Sequence, residues 1–477
     1  MSADGAAHGG DADQPGEGGP LRGLEAIERC FAGAIPAALS TASADGVPNV
    51  TWISRAHRVD DERVALSNQF LSKTSRNLAE NPRASLLLID PVSHDEFRLA
   101  LVYERTERRG RVFDRLRADV DAIAAITGMQ DVFRLRAADI FRVVELVQIP
   151  PNPMGVVATD VPAPRELTPD LTALAEIAAR VGRCSDLDSL VDTVLDGVAS
   201  SLGFHHVHLM LIDEVGERLY TVGSRGFDAE TVGAEVFVGD GLIGIAAARG
   251  EPMRVGGLGQ MTKYARSMRE QFEAHRNHGA GREVPMPAIP RAKSRLVAPA
   301  MSAGELVGAL VVDSDRMVAF GDGDERVLTI VGTLFASALE RVRMLEREEE
   351  PVEPSTFRAS NPVSAEPLAA PVAVRFFAVD GSTFLDNDYL IKGVAGRILW
   401  ALLRQHGDDG RVEFTNKELR LDPSLDLPGF KDNLESRLIL LKRRLDERQA
   451  PVRIERTGRG RMRLCVERPV QLQVTEG

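Results

Sequence analysis

Cysteine is nearly missing from this chain: three residues among 477, Cys30, Cys184 and Cys465, far apart and with no Cys-x-x-Cys pair. That excludes a disulfide framework, offers no zinc-binding spacing, and fits a reducing compartment. Aromatic residues are also scarce, at 5%. An aromatic-lined groove for sugars or single-stranded nucleic acid is therefore not its main business. No apolar run reaches the ~18 residues of a transmembrane helix, and the N-terminus is acidic and glycine-rich, unlike a signal peptide. The expectation is a soluble, cytoplasmic protein with no membrane partner. Positive charge is in deficit as well. With 58 Lys and Arg against 70 Asp and Glu the net charge is −12, so contact with a polyanion must rest on a local basic patch.

What is present suffices for about three domains: the length, and an ordinary 44% of apolar residues to build cores. Residues 1–20 are too poor in apolar surface to fold and read as a disordered tail. Proline-rich and Glu/Pro/Ser/Ala-rich stretches mark linkers at 151–168 and 347–371, which leaves domains over 21–150, 169–346 and 372–467. The fold class expected is multidomain α/β and α+β.

The middle domain is organised around Gly239 to Asp315. Gly239-Asp-Gly-Leu-Ile-Gly opens a short helix (Leu242, Ile243, Ala246, Ala247) that halts at Gly250. Two apolar runs around Ala303-Gly304 form a hairpin. The Gly-x-Gly helix start and the returning Gly-x-Leu-x-Val strand resemble a GAF domain, an α/β sandwich that encloses a small-molecule pocket. Residues 256–293 between these halves read as a lid over a ligand or as a surface insertion, with a helix from Thr262 to Arg276. The strand from Phe204 to Ile212 turns Val207, Leu209 and Leu211 one way and His206, His208 and Met210 the other. The two histidines read as ordinary sheet positions, with metal ligation the lesser alternative and no third ligand in sight. Nothing near Cys184 in sequence would lower its pKa for redox sensing. From Asp322 to Leu345, the residues Val327, Val331, Leu334, Ala338, Val342 and Leu345 follow near-heptad spacing, half core and half dimer seam.

The first domain begins with a helix from Leu24 to Ala32 and short alternating strands at Ala37–Thr41, Pro48–Ser54 and Arg63–Ser67. A loop then supplies Ser67, Asn68, Ser72, Lys73 and Thr74 at the start of a helix stopped by Asn81-Pro82. A cation, several short donors and a helix N-terminus are what a phosphate dianion requires. This loop and the phrase Asn-Pro-Arg-Ala-Ser-Leu-Leu from Asn81 resemble the pyridoxamine 5′-phosphate oxidase family, a split β-barrel binding cofactor between two protomers. The resemblance implies FMN, with haem or no cofactor as alternatives, and carries phosphate contact to Ser67 and Lys73. Two features depart from the oxidase proper. The strand Asn49 to Ser54 carries no charge before Arg55, and the C-terminal Arg/His signature is missing. Vitamin B6 oxidation is not implied. The arginines from Arg105 to Arg117 read as a solvated face, or else as an anion site.

The last domain shows short strands, three helices and a closing hairpin. Thr415 caps the second helix, and Asp432 with Glu435 forms a capping-box pattern on the third. That third helix carries a stripe of Leu434, Leu438, Leu441 and Leu445, with Arg437, Arg443 and Arg444 off it. From Asn433 to Arg463 ten basic residues face four acidic ones, a net +6, with Arg459 and Arg461 at the hairpin turn. The paired phrases Leu-Lys-Arg-Arg-Leu445 and Ile-Glu-Arg-Thr-Gly-Arg-Gly-Arg-Met-Arg-Leu464 resemble the OmpR/PhoB-type winged helix. The resemblance implies double-stranded DNA as partner, contacted through Arg437, Arg443, Arg444, Arg459 and Arg461. Ile439 and Leu440, where that family shows polar residues, would read thymine methyls or form a protein interface. The whole reads as a homodimeric, ligand- or redox-responsive transcriptional regulator. The alternative is an FMN-dependent oxidoreductase with regulatory domains. No catalytic nucleophile and no metal constellation stand out.

Overall fold

The computed structural model describes residues 23–69, 72–126, 133–150, 171–227, 231–259, 292–348, 371–425, 427, 434–458 and 460–475. The tail, the 151–168 linker, residues 349–370 of the second linker and the helix expected from Thr262 to Arg276 lie outside these. The chain divides into two units, one of residues 1–116 and 135–161, the other of 117–134 and 162–477. No helix among the described residues is long and apolar enough to cross a membrane.

Alternation builds the first unit. Its strands are β1 (Ala37–Ala42), β2 (Pro48–Ile53), β3 (Ala56–Arg58) and β4 (Arg63–Asn68), then helix α1 (Ser72–Glu80), β5 (Arg83–Ile89) and β6 (Glu96–Glu107). Helix α2 (Arg111–Ile126), whose residues from Arg117 onward fall in the other unit, and β7 (Ala137–Ile149) complete the run. They form one curled antiparallel sheet in the order β2-β1-β5-β6-β7-β4-β3. Every second residue of β1 is buried, and Leu39, Leu66, Leu86, Leu99 and Phe141 meet in the core. The segment Leu24–Ala32 is a 3₁₀-helix with a kink at Ile27, and it seals the core with Leu24, Ile27 and Phe31. Of the arginine run, Arg105 is exposed and paired with Glu107 at 2.7 Å.

The second unit holds two domains. The central one has α3 (Leu171–Val181), α4 (Leu187–Asp196), β8 (His206–Ile212), β9 (Arg218–Arg225), β10 (Glu235–Phe237), α5 (Gly241–Arg249), β11 (Met253–Gly256), β12 (Ser294–Ser302), β13 (Glu305–Ser314) and α6 (Asp322–Glu348). Its antiparallel sheet runs β10-β9-β8-β13-β12-β11. Ala303 and Gly304 both take positive φ (49° and 86°), the two-residue turn that matches strand twist between β12 and β13. Helix α5 ends at Gly250 in the left-handed region, as expected. Val207, Leu209 and Leu211 face the helix-side core. On α6 the stripe buried within the chain is wider than the six residues read from sequence. Leu334 and Leu345 are only half-buried, whereas Leu328, Phe335 and Leu339 are fully buried with Val327, Val331 and Val342. A helix lying on a sheet buries a stripe wider than a two-helix seam.

The C-terminal domain has β14 (Val372–Phe377), β15 (Ser382–Leu385), β16 (Asp388–Ile391), α7 (Gly393–Asp409), β17 (Glu413–Thr415), α8 (Asn416–Leu421), α9 (Leu434–Glu447), β18 (Val452–Gly458), β19 (Arg461–Val466) and β20 (Val470–Thr475). One sheet runs β16-β15-β14-β20 and a second β17-β19-β18. Strand β20, beyond the 372–467 span read from sequence, pairs in parallel with β14. Thr415 caps α8 in a full capping box with Glu418. Ile398, Leu402, Leu434, Leu441 and Leu445 belong to one apolar cluster that runs on into α3, α4 and α6. The two domains share a core.

Candidate functional site

At the start of α1, the five expected loop residues divide into two sets. Ser67 is buried. Its N–H donates to the Arg55 carbonyl at 2.9 Å and its Oγ accepts from Arg55 N–H at 3.1 Å. Thr74 is buried as well, its Oγ1 accepting from Asn49 Nδ2 at 3.1 Å. Asn68 spends its Nδ2 on Asp139 at 2.8 Å. Ser72 and Lys73, by contrast, are exposed in the first turn, which carries no acidic side chain. Ser67 and Thr74 accept, so each keeps a hydroxyl proton to donate. Sequence reasoning missed Gln69, which is 5% exposed and whose Nε2 has no hydrogen-bond partner among the described residues. Its place directly after Ser67-Asn68 puts it at the loop, but its burial comes from the barrel and no local pattern gives it. A basic side chain, a hydroxyl and a helix N-terminus at one place can hold an anion.

In the central domain, Arg295 and Asp313 sit opposite each other on β12 and β13, both with wholly buried side chains. The guanidinium forks onto the carboxylate, Nε to Oδ1 at 2.6 Å and Nη2 to Oδ2 at 2.8 Å. His208 Nε2 lies 3.6 Å from Asp313 Oδ2, too long for a hydrogen bond, and its ring stacks on Phe227 at 4.4 Å. Burial would raise the Asp313 carboxyl, but the hydrogen bonds and charge of Arg295 outweigh it and hold it down to about 2. Among the described residues no group of three or more His, Cys, Asp or Glu could hold a metal. The Cys184 thiol is buried, its Sγ 3.4 Å from the Arg180 carbonyl.

Helix α9 departs most from expectation. Arg437, Arg443 and Arg444 were expected to project away from the leucine stripe toward a groove. Instead Arg437 forks onto Glu214, with Nε to Oε1 at 2.7 Å, and its guanidinium lies 4.3 Å over the Tyr220 ring. Arg443 binds Asp188 at 2.7 Å and Asp192 at 3.0 Å, and Lys442 shares Asp188. Arg444 is buried, donating to the Leu390 carbonyl at 3.0 Å and to Glu447 at 2.7 Å. The buried set also differs: Ile439 and Leu440 are 6% and 5% exposed, while Leu438 is only half-buried. Glu435 bonds Asn416 at 3.1 Å and Arg420, and Asp432 lies outside the described residues. The reason is common to all of these. Helix α9 is buried on two sides, by its own domain and by α4 and β9 of the central one. Burial raises the carboxyls of Glu214 and Asp188, but hydrogen bonds from Arg437 in one case and Lys442 and Arg443 in the other turn the net shift downward. On the hairpin Arg461 is exposed, and Arg459 lies outside the described residues.

Residues 24–143 match the family model of pyridoxamine 5′-phosphate oxidase, and residues 184–340 that of the GAF domain. Among solved structures, the chain is similar to an FMN-binding protein from Syntrophomonas wolfei, at 21% identity over 26% of this chain and 85% of that one, with a TM-score of 0.23. The GAF domain of an Acinetobacter phosphoenolpyruvate-protein phosphotransferase is 19% identical over 38% and 97%, with a TM-score of 0.30. Free methionine-R-sulfoxide reductase from Neisseria meningitidis is 22% identical over 36% and 89%, with a TM-score of 0.28. No curated protein matches the chain. The C-terminal domain lies beyond both family matches. The chain therefore carries a pyridoxamine 5′-phosphate oxidase-like barrel followed by a GAF domain.

Proposed function

We propose that this protein is a cytoplasmic, homodimeric transcriptional regulator. Its barrel and GAF domain sense a flavin state or small ligand, and its C-terminal domain is a winged helix that binds duplex DNA. One observation carries the reading: the exposed-type cations of α9 point away from their own domain and end on anions. Arg437, Lys442 and Arg443 all do so. A helix face built to receive paired anionic oxygens, next to an arginine-bearing hairpin, fits phosphate contact. The order of a sheet, three helices and a hairpin supports the same domain type. In the GAF domain, His208 supplies a buried ring nitrogen without a hydrogen-bond partner among the described residues, a polar handle for a ligand.

FMN fits the barrel loop in charge and donor type. Lys73, Ser72 and the first-turn amides of α1 would hold its phosphate, with Gln69 as a further donor. A bound flavin supplies reversible redox chemistry, which suits sensing. The family match of residues 24–143 also supports a second reading, an FMN-dependent oxidoreductase with regulatory domains. Two measurements separate them. The absorption spectrum of the purified protein distinguishes flavin, haem and neither. A salt titration of duplex binding then tests the output, and the absence of salt-dependent affinity would remove the DNA reading.

A further inference from the structure

Four cations of the C-terminal domain end on four carboxylates of the GAF domain. Arg437 meets Glu214, Lys442 and Arg443 share Asp188, Arg443 also reaches Asp192, and Arg456 lies 3.3 Å from Asp186. The fit goes beyond charge. The Arg443 guanidinium packs over Gly223, where an added Cβ would come within 2.5 Å of Nη1. Leu440 reaches the bare backbone of Gly233, 4.0 Å from the position of a Cβ there. The N–H of Thr231 donates to Glu447 at 2.9 Å, and Tyr220 offers its ring face to Arg437. A glycine socket at Gly223, an aromatic platform and acceptors therefore line up along one side of α9.

We infer that this acidic face of the GAF domain stands in for the phosphates of duplex DNA and holds the full chain in a closed state that cannot bind duplex. The inference rests on the DNA-binding reading above. A carboxylate and a phosphate present the same feature to a guanidinium, a pair of anionic oxygens, so one arginine cannot serve both at once. The geometry adds a steric bar. A major groove admits a helix only if its side chains are free to enter, and here Arg437, Ile439, Leu440 and Arg443 are covered. Opening the contact would expose cations and apolar pair together.

The test uses the full-length chain with Glu214→Gln and Asp188→Asn combined, near-isosteric changes that remove charge without removing volume. Two quantities are read: hydrogen–deuterium exchange of 434–447 and 187–196, and affinity for a random duplex at fixed salt. Both should rise in the variant, each by on the order of tenfold, while the melting profile of the barrel stays put. If exchange rises but wild type already binds duplex as tightly as the variant, the closed state does not block DNA and the inference is overturned, with DNA binding intact. If exchange rises and neither protein binds duplex, the DNA-binding reading itself fails and takes this inference with it. Unchanged exchange would show that these carboxylates do not hold α9, and would overturn the inference alone.

Discussion

Replacing Asp313 by Asn removes one charge from an ion pair whose two side chains are both wholly buried. Asn keeps the shape but removes the charge that faces the buried Arg295 guanidinium, and breaking such a pair costs about 3–5 kcal/mol. The carboxyl's own proton affinity gives a second figure. It is held at about 2 against an ordinary 3.8, a difference worth roughly 2–3 kcal/mol. Because the folded value is depressed, that stabilisation is full above pH 3.8 and is lost only as pH falls toward 2. At neutral pH both routes apply, and the expected loss is roughly 2.5–5 kcal/mol. At roughly 2–4 °C per kcal/mol, the thermal midpoint should fall by at least about 5 °C. Trp400 is a suitable reporter: it is half-buried, stacks on Phe376 at 5.0 Å, and belongs to the unit that contains Asp313. Trp52, in the other unit, is 64% exposed and should change little on unfolding. A midpoint unmoved by Asp313→Asn refutes the reasoning. So does a double variant, Arg295→Met with Asp313→Leu, that is less stable than the single one, since removing both charges leaves none orphaned.

Lys73→Ala should weaken FMN binding roughly tenfold to hundredfold through loss of a charge-assisted phosphate contact, read by fluorescence titration, and an unchanged affinity removes this loop from the site. Arg461→Ala, on the exposed face of the hairpin, should lower affinity for specific and random duplex alike and reduce the salt slope by about one unit. Acid should loosen α9. Glu214 and Asp188 have depressed values in the docked state, so their contribution is full above their ordinary 4.5 and 3.8 and is lost as pH falls below them. Exchange protection of 434–447, corrected for intrinsic rate, should hold from pH 7 to 5 and collapse below about 4; loss already at pH 6 would contradict the assignment.

Local chemistry made much of this legible from sequence. Ala303-Gly304 could only be a tight turn, Gly250 ends its helix in a conformation that favours glycine, and Thr415 with Glu418 spells a cap. The alternation of β8 put Val207, Leu209 and Leu211 on one face together, and these three share one apolar cluster. Where the reading failed, the missing information was long-range. Arg437 meets a carboxylate 223 residues earlier and Arg443 one 255 residues earlier, separations that no local pattern encodes. Ser67 and Thr74 read as phosphate donors in sequence, and no local pattern shows that their oxygens also accept bonds from Arg55 and Asn49. The same blindness hid Gln69, whose burial depends on the barrel around it.

The leucine stripe of α9 carries the most general point. A four-residue stripe describes a helix with one buried side, and the side chains off it are then assigned to solvent or to a ligand. Ile439 and Leu440 strain that assignment in the sequence itself, because a helix free of both DNA and protein would keep two large aliphatic groups in water at about 1.5–3 kcal/mol each. The cost disappears once the second side has a protein partner. It also sets how the contact can open. Salt screens the ion pairs, with a Debye length of about 8 Å at physiological strength, but leaves the aliphatic contribution in place. Opening therefore calls for a competitor that gains more than charge, and moving the chain from almost wholly closed to almost wholly open takes about 5.5 kcal/mol of differential binding. A duplex supplies the anionic part of that through its phosphates. The remainder has to come from a change in the GAF surface that carries Gly223, Gly233 and Tyr220, all on or beside the strand β9 that α9 covers.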